Sequence, residues 1–196
     1  MNKAVFYDRD GIIVKMVYNL EFGTIDTPRN PSEISFIPEI FDLLKYTTSL
    51  SYKNIIISNQ PVIANKKISK EGFEAIRNEM FEKLKEQNAV IDGDYYCFHH
   101  PNALVSEYKK SCKCRKPQPG LLFKAAKENK IDLSKSWIIG DGVNDVLAGH
   151  SAGCRTILLA NLYESEYLRV LEKNLGGVKP DFLIKNLKEA IEIINI

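Results

Sequence analysis

Three short apolar runs constrain this chain most. Residues 4–7 end in Asp8, residues 54–57 end in Ser58-Asn59-Gln60, and residues 137–139 end in Gly140-Asp141. Unbroken apolar runs of this length predict buried strands, and each of these hands a polar or glycine-containing turn to one end of a sheet. The stretches between them carry helical signals. Residues 38–50 begin with proline in a first-turn position, residues 69–87 begin with Ser69, and residues 118–130 repeat Leu121, Leu122, Ala125 and Ala126 along one face. Residues 156–160 and 181–184 fit two more strands, residues 164–173 and 186–194 two more helices, and residues 95–98 an additional strand. Alternating strand and helix predicts an α/β fold, a Rossmann-like three-layer arrangement with a parallel sheet covered on both faces.

The 196 residues suit one domain, so residues 1–196 are read as a single unit. Residues 12–37 are the irregular part. They contain Tyr18, Phe22, Gly23, Asp26, Pro28, Arg29 and Pro31 without a sustained period, and they exceed an ordinary strand-to-helix connection. An insertion after the first strand predicts an extended loop or flap over the site.

Charged residues make up 27% of the chain and balance to +2, which forces no broad electrostatic face for nucleic acid, and the aromatic residues form no stacking module. The first residues run directly into polar ones without the apolar stretch of a signal peptide, so a cytoplasmic location is expected. No apolar run approaches bilayer length, so no membrane span is expected. A monomer acting on a small molecule is the expected state.

Asp8 and Asp10 follow the first strand, and Gly11 lets the chain turn sharply after them. Two carboxylates so placed can divide labour, one attacking phosphorus and the other serving as general acid and then general base. Asp141 brings a third carboxylate to the same sheet edge, a set suited to Mg²⁺, and Asp145 can complete or orient that shell. Ser58 and Asn59 offer hydroxyl, amide and backbone N–H groups to phosphate oxygens. Lys116 is the candidate cation for the phosphate, and Arg115 offers a fork to a substrate phosphate or hydroxyl. Taken singly, an Asp-Gly pair also suits a plain turn and a Lys-Arg pair a solvated surface. Their association is what points to phosphate chemistry.

Cys97, His99, Cys112 and Cys114 supply three thiolates and one imidazole, a set that fills a tetrahedral structural Zn²⁺ site. His100 is an alternative fourth ligand by spacing. The polar chain between the two pairs has little apolar content to order it, so a metal would staple residues 97–116 and aim Arg115 and Lys116 inward. Cys112 and Cys114 are too close for a comfortable mutual disulfide. Cys154, in Ser151-Ala152-Gly153-Cys154, reads as a small buried packing residue.

The motifs Asp8-Arg9-Asp10-Gly11, Ser58-Asn59-Gln60, Cys97-Phe98-His99-His100-Pro101, Cys112-Lys113-Cys114-Arg115-Lys116-Pro117 and Gly140-Asp141 together resemble the haloacid dehalogenase superfamily, in particular its heptose-bisphosphate phosphatase branch. The resemblance implies a capless or minimally capped domain of that type. It further implies Asp8 as phosphoryl-accepting nucleophile, Asp10 as acid/base, and Mg²⁺ held by Asp8, the Asp10 carbonyl and Asp141. Ser58 and Asn59 would then receive the phosphate, Lys116 would stabilise it, and Arg115 would reach toward the sugar or its second phosphate. The branch removes the carbon-seven phosphate of glycero-manno-heptose 1,7-bisphosphate in lipopolysaccharide and related glycan pathways. A sister branch, the histidinol-phosphate phosphatases, shares the nucleophile pair and a similar zinc loop, and a phosphosugar-binding or interaction protein is the non-enzymatic alternative. The chain departs from the branch at Ile12-Ile13-Val14, where a threonine and an asparagine are usual after Asp-Gly, and at Pro61-Val62-Ile63-Ala64-Asn65.

Overall fold

The computed structural model describes every residue except 21–22, 161–164 and 195–196. β1 (Lys3–Tyr7) is buried along most of its length, and a hairpin of β2 (Val17–Asn19) and β3 (Thr24–Asp26) follows it. Then come α1 (Ile40–Ser49), β4 (Tyr52–Asn59), α2 (Lys70–Glu86), β5 (Gly93–Cys97) and α3 (Gly120–Asn129). The chain continues through β6 (Trp137–Gly140), α4 (Val143–Ala152), β7 (Arg155–Leu159), α5 (Ser165–Leu175), β8 (Phe182–Ile184) and α6 (Leu187–Ile194). The strands outside the hairpin form one six-stranded sheet in the order β5-β4-β1-β6-β7-β8, and every pairing in it is parallel.

β1 shows why the sheet needs both layers of helices. Its side chains alternate, so Val5 and Tyr7 pack toward Leu43 of α1, Met80 of α2 and Leu187 of α6, while Ala4 and Phe6 pack toward Leu122 and Ala125 of α3 and Ala148 of α4. With apolar residues on both faces, neither face of β1 can be left to water. The three-layer α/β/α architecture follows. Ser69 caps α2, its hydroxyl accepting from Gly72 N at 3.0 Å, as its place at the head of that segment predicts.

The chain leaves β1 for β4 and β5 on one side, then crosses back to β6, β7 and β8 on the other. β1 therefore sits at the switch in strand order, where the ends of β1, β4 and β6 open a crevice. Asp8, Ser58-Asn59 and Asp141 all lie at that end.

Several boundaries differ from those read in the sequence. β4 continues through Ser58 and Asn59, which pair with Tyr96 and Cys97 of β5 and so belong to the strand rather than to the turn after it. The next helix does not begin until Lys70, so no helix start lies directly beside Ser58. β5 ends at Cys97, leaving Phe98 outside it. Asp145 lies in the helix α4, in its first turn. The beginning of the helix expected at 164 lies outside the described residues, as does Phe22. Among the described residues no helix is long and apolar enough to cross a membrane.

Candidate active site and metal cluster

The C-terminal ends of β1, β4 and β6 surround a cavity of about 240 Å³ lined by Asp8, Asp10, Ser58, Asn59, Gln60 and Asp141, with Thr27, Asp26 and Lys67 at the hairpin side. Asp8 follows β1 directly, and its backbone N donates to Ile139 O at 3.0 Å, tying the carboxylate to β6. Gly11 adopts φ +83°, and a Cβ there would come within 1.9 Å of Asp141 Oδ2. Only glycine suits both the backbone and the neighbouring carboxylate.

Lys116 is 3% exposed and its ammonium meets three oxygens: Asp145 Oδ1 at 2.5 Å, Ile57 O at 2.9 Å and Asp8 Oδ2 at 3.1 Å. Three acceptors match the three N–H donors of an ammonium, so the lysine is charged and fully satisfied. Burial disfavours that charge, but Asp145 and Asp8 outweigh it and hold the lysine's pKa above the usual range. Asp145 is itself buried, and burial pushes its carboxyl up to about 6 with Lys116 opposing the rise. Its second oxygen accepts from Gly142 N at 3.2 Å, capping α4.

The Lys116–Pro117 peptide bond is cis. Asn59 fixes the lysine's backbone from across the crevice: its Nδ2 donates to Lys116 O and its Oδ1 accepts from Lys116 N, both at 3.0 Å. That amide, expected to hold phosphate, holds the backbone of the lysine. Ser58 is buried beside it, and its hydroxyl accepts from Gln60 Nε2 at 3.1 Å.

Asp10 lies in a network that sequence reasoning did not anticipate. Its Oδ1 accepts from Thr27 Oγ1 at 2.8 Å and Arg9 Nη2 at 3.0 Å, and its Oδ2 accepts from Gln60 Nε2 at 2.5 Å. Arg9 is 1% exposed and also donates to Gln60 Oε1 at 3.1 Å. Nothing local marks Thr27, which arrives from the hairpin segment. Ile12, Ile13 and Val14 are fully buried in the core on the α1 side, so the departure from the family pattern there is an exchange of polar groups for packing.

One oxygen from each of Asp8, Asp141 and Asp145 can be chosen so that all lie within 4.8 Å of one another. Burial, then Asp8 and Asp145, pushes the Asp141 carboxyl up to about 7. Lys116 offsets only one of the three carboxylate charges, and the hard oxygen donors that remain fit a divalent cation such as Mg²⁺.

Cys97 Sγ, His99 Nδ1, Cys112 Sγ and Cys114 Sγ form a second cluster, with contacts from 3.1 to 3.7 Å between them. These separations suit four ligands converging on one small tetrahedral ion, and none of the cysteines is in a disulfide. His100 is turned elsewhere, its Nδ1 accepting from Asn102 N at 3.1 Å. Burial and Lys110 lower the His99 pKa, favouring the neutral ring a metal needs. Cys154 is buried away from this cluster. Arg115 Nη1 donates to His99 O at 3.2 Å, and the residue lines a neighbouring cavity of about 560 Å³ with Pro101, Lys113 and Gln118 rather than the one containing Asp8.

Residues 113–190 match the HAD-hydrolase-like family model. The D-glycero-beta-D-manno-heptose-1,7-bisphosphate 7-phosphatase of Helicobacter pylori J99 is 39% identical over 194 residues, 98% of this chain and 97% of that one. The chain belongs to the heptose-bisphosphate phosphatase family. The Escherichia coli K12 member of this family is 33% identical over 156 residues, 80% of this chain and 78% of its own length. A D,D-heptose 1,7-bisphosphate phosphatase of B. bronchiseptica, solved with magnesium and phosphate, shares the fold, with a TM-score of 0.78, 23% identity and 98% of each chain covered. As a heptose-bisphosphate phosphatase family member the chain is a phosphatase.

Proposed function

We propose that this phosphatase removes the 7-phosphate of D-glycero-β-D-manno-heptose 1,7-bisphosphate through an aspartyl-phosphate intermediate on Asp8. The observation that carries the reading is full-length similarity to relatives named for that activity, joined to the convergence of Asp8, Asp10 and Asp141 on one cavity with the Lys116 ammonium against Asp8. Residues 12–37 act as an active-site flap and residues 97–116 as a metal-stapled loop within a single domain.

In the first displacement an Asp8 oxygen attacks phosphorus, the bond from phosphorus to the sugar oxygen breaks, and Asp10 gives its proton to that departing oxygen. In the second, the Asp10 carboxylate takes a proton from water as the water oxygen attacks phosphorus, and Asp8 is released. Lys116 orients Asp8 and places a fixed positive charge beside the transferring group. Ser58 is available to a phosphate oxygen, Asn59 positions Lys116, and Arg115 serves the sugar or its second phosphate from the neighbouring cavity. Asp8, Asp141 and the Asp10 carbonyl would hold Mg²⁺, with Asp145 orienting the shell through Lys116. When bound, that ion neutralises the repulsion between phosphate and carboxylates. Zn²⁺ at Cys97, His99, Cys112 and Cys114 is structural in this reading, since protein ligands fill all four positions. A reducing cytoplasm keeps the three thiols available to it.

Phosphorus NMR of the reaction tests the assignment by reporting which phosphate leaves. Loss of the carbon-seven signal with retention of the carbon-one signal is expected. Turnover of histidinol phosphate alone would overturn the substrate assignment and leave the phosphatase chemistry standing.

A further inference from the structure

Asp10 receives a hydroxyl hydrogen bond from a residue 17 positions away in sequence, Thr27, at the foot of the hairpin. Two features fix its direction. Arg9 Nη2 donates to Thr27 Oγ1, and a guanidinium has no acceptor to offer in return, so the hydroxyl hydrogen is left for Asp10 Oδ1 at 2.8 Å. Thr27 is 8% exposed, so little water competes for the contact.

The hairpin end that carries Thr27 is itself tied down. Thr27 N donates to Asp26 Oδ1 at 2.9 Å, and Asp26 Oδ2 takes Lys67 Nζ and Arg29 Nη2, each at 2.5 Å. Lys67 lies in the loop between β4 and α2, so the contact joins the flap to the strand that supplies Ser58. Ile12, Ile13 and Val14 face the core and offer Asp10 no side-chain donor.

We propose that Thr27 is a positioning residue for Asp10, holding the carboxyl in line for proton transfer to the leaving oxygen, so that the extended segment takes part in the chemistry. This rests on the assignment of Asp10 as acid/base. Asp10 has two rotatable side-chain bonds, and Arg9 and Gln60 hold it from the β1 and β4 sides only. Thr27 supplies the contact from the flap side.

The test is kcat/KM of the full-length, metal-loaded enzyme, which reports phosphoryl transfer to Asp8, on two substrates. The heptose bisphosphate has a poor alkoxide leaving group that needs a proton, whereas p-nitrophenyl phosphate expels a stable phenolate that does not. Thr27→Val should lower kcat/KM about 10- to 100-fold on the sugar phosphate and less than about threefold on the aryl phosphate. Thr27→Ser, which keeps the hydroxyl, should stay within about threefold of wild type on both. Should the valine variant not fold, Thr27→Ala, which places no methyl against Arg9, gives the same ratio. Equal losses on the two substrates, no loss on either, or a serine variant as impaired as valine would overturn the inference. Asp10→Asn separates the two levels: full activity in that variant would sink the acid/base assignment, while its loss beside an unaffected Thr27→Val would sink only the role of Thr27.

Discussion

Lys116 Nζ stands 3.1 Å from Asp8 Oδ2, and the same ammonium is 2.5 Å from Asp145 Oδ1. One buried cation thus holds Asp8, the carboxylate proposed to attack phosphorus, and the carboxylate that caps α4. Lys116→Met would leave Asp145 buried and Asp8 partly buried without their partner, which costs on the order of 3–5 kcal/mol. Urea unfolding of the variant should register that loss, and turnover should be abolished even under conditions where the variant is folded. A variant as stable as wild type would mean the ion pair is not formed in solution.

Asp141 gives a pH prediction whose sign can be worked out. Its pKa is raised in the folded chain from 3.8 to about 7, so the folded state holds its proton more tightly than the unfolded one. Stability is therefore fully retained below about pH 4 and lost as pH rises toward 7, by up to about 4 kcal/mol. In chelator at pH 8, Asp141→Asn should melt several degrees above wild type, and the gap should shrink at pH 5. Added Mg²⁺ should raise the melting temperature of wild type and do little for the variant. A variant less stable than wild type in chelator would contradict the placement of Asp141 among repelling carboxylates.

The soft-ligand cluster should hold one zinc per chain by elemental analysis, and Cys114→Ser should lose it. Cys114 stands two residues before Lys116, so loosening the loop should also lower kcat by about tenfold or more. Cys154→Ser should leave metal content unchanged because that thiol lies outside the cluster. Full zinc retention in the Cys114 variant would remove this residue from the ligand set.

The sheet and the candidate site were not equally legible in the sequence. The buried strands announced themselves because a strand covered on both faces must be apolar throughout, and their polar ends followed from the same runs. Asp8 and Asp141 could be singled out because motif and strand end coincide, and Lys116 because it follows the paired cysteines at 112 and 114. What stayed hidden were contacts made by side chains far apart in sequence. Thr27 reaches Asp10 from an aperiodic segment, and Asn59 reaches the Lys116 backbone across 57 positions. Strand periodicity could not place the end of β4 either, since Ser58 is a buried polar residue whose hydroxyl accepts from Gln60 Nε2.

Asp8 is the group that must receive phosphorus in the proposed reaction. Acid quenching during turnover of heptose bisphosphate, followed by peptide mass spectrometry, tests it most directly. Phosphate should be recovered on the peptide containing Asp8 and be absent from Asp8→Asn, which should keep its fold and zinc. Phosphate on another residue, or full turnover by Asp8→Asn, would contradict the account.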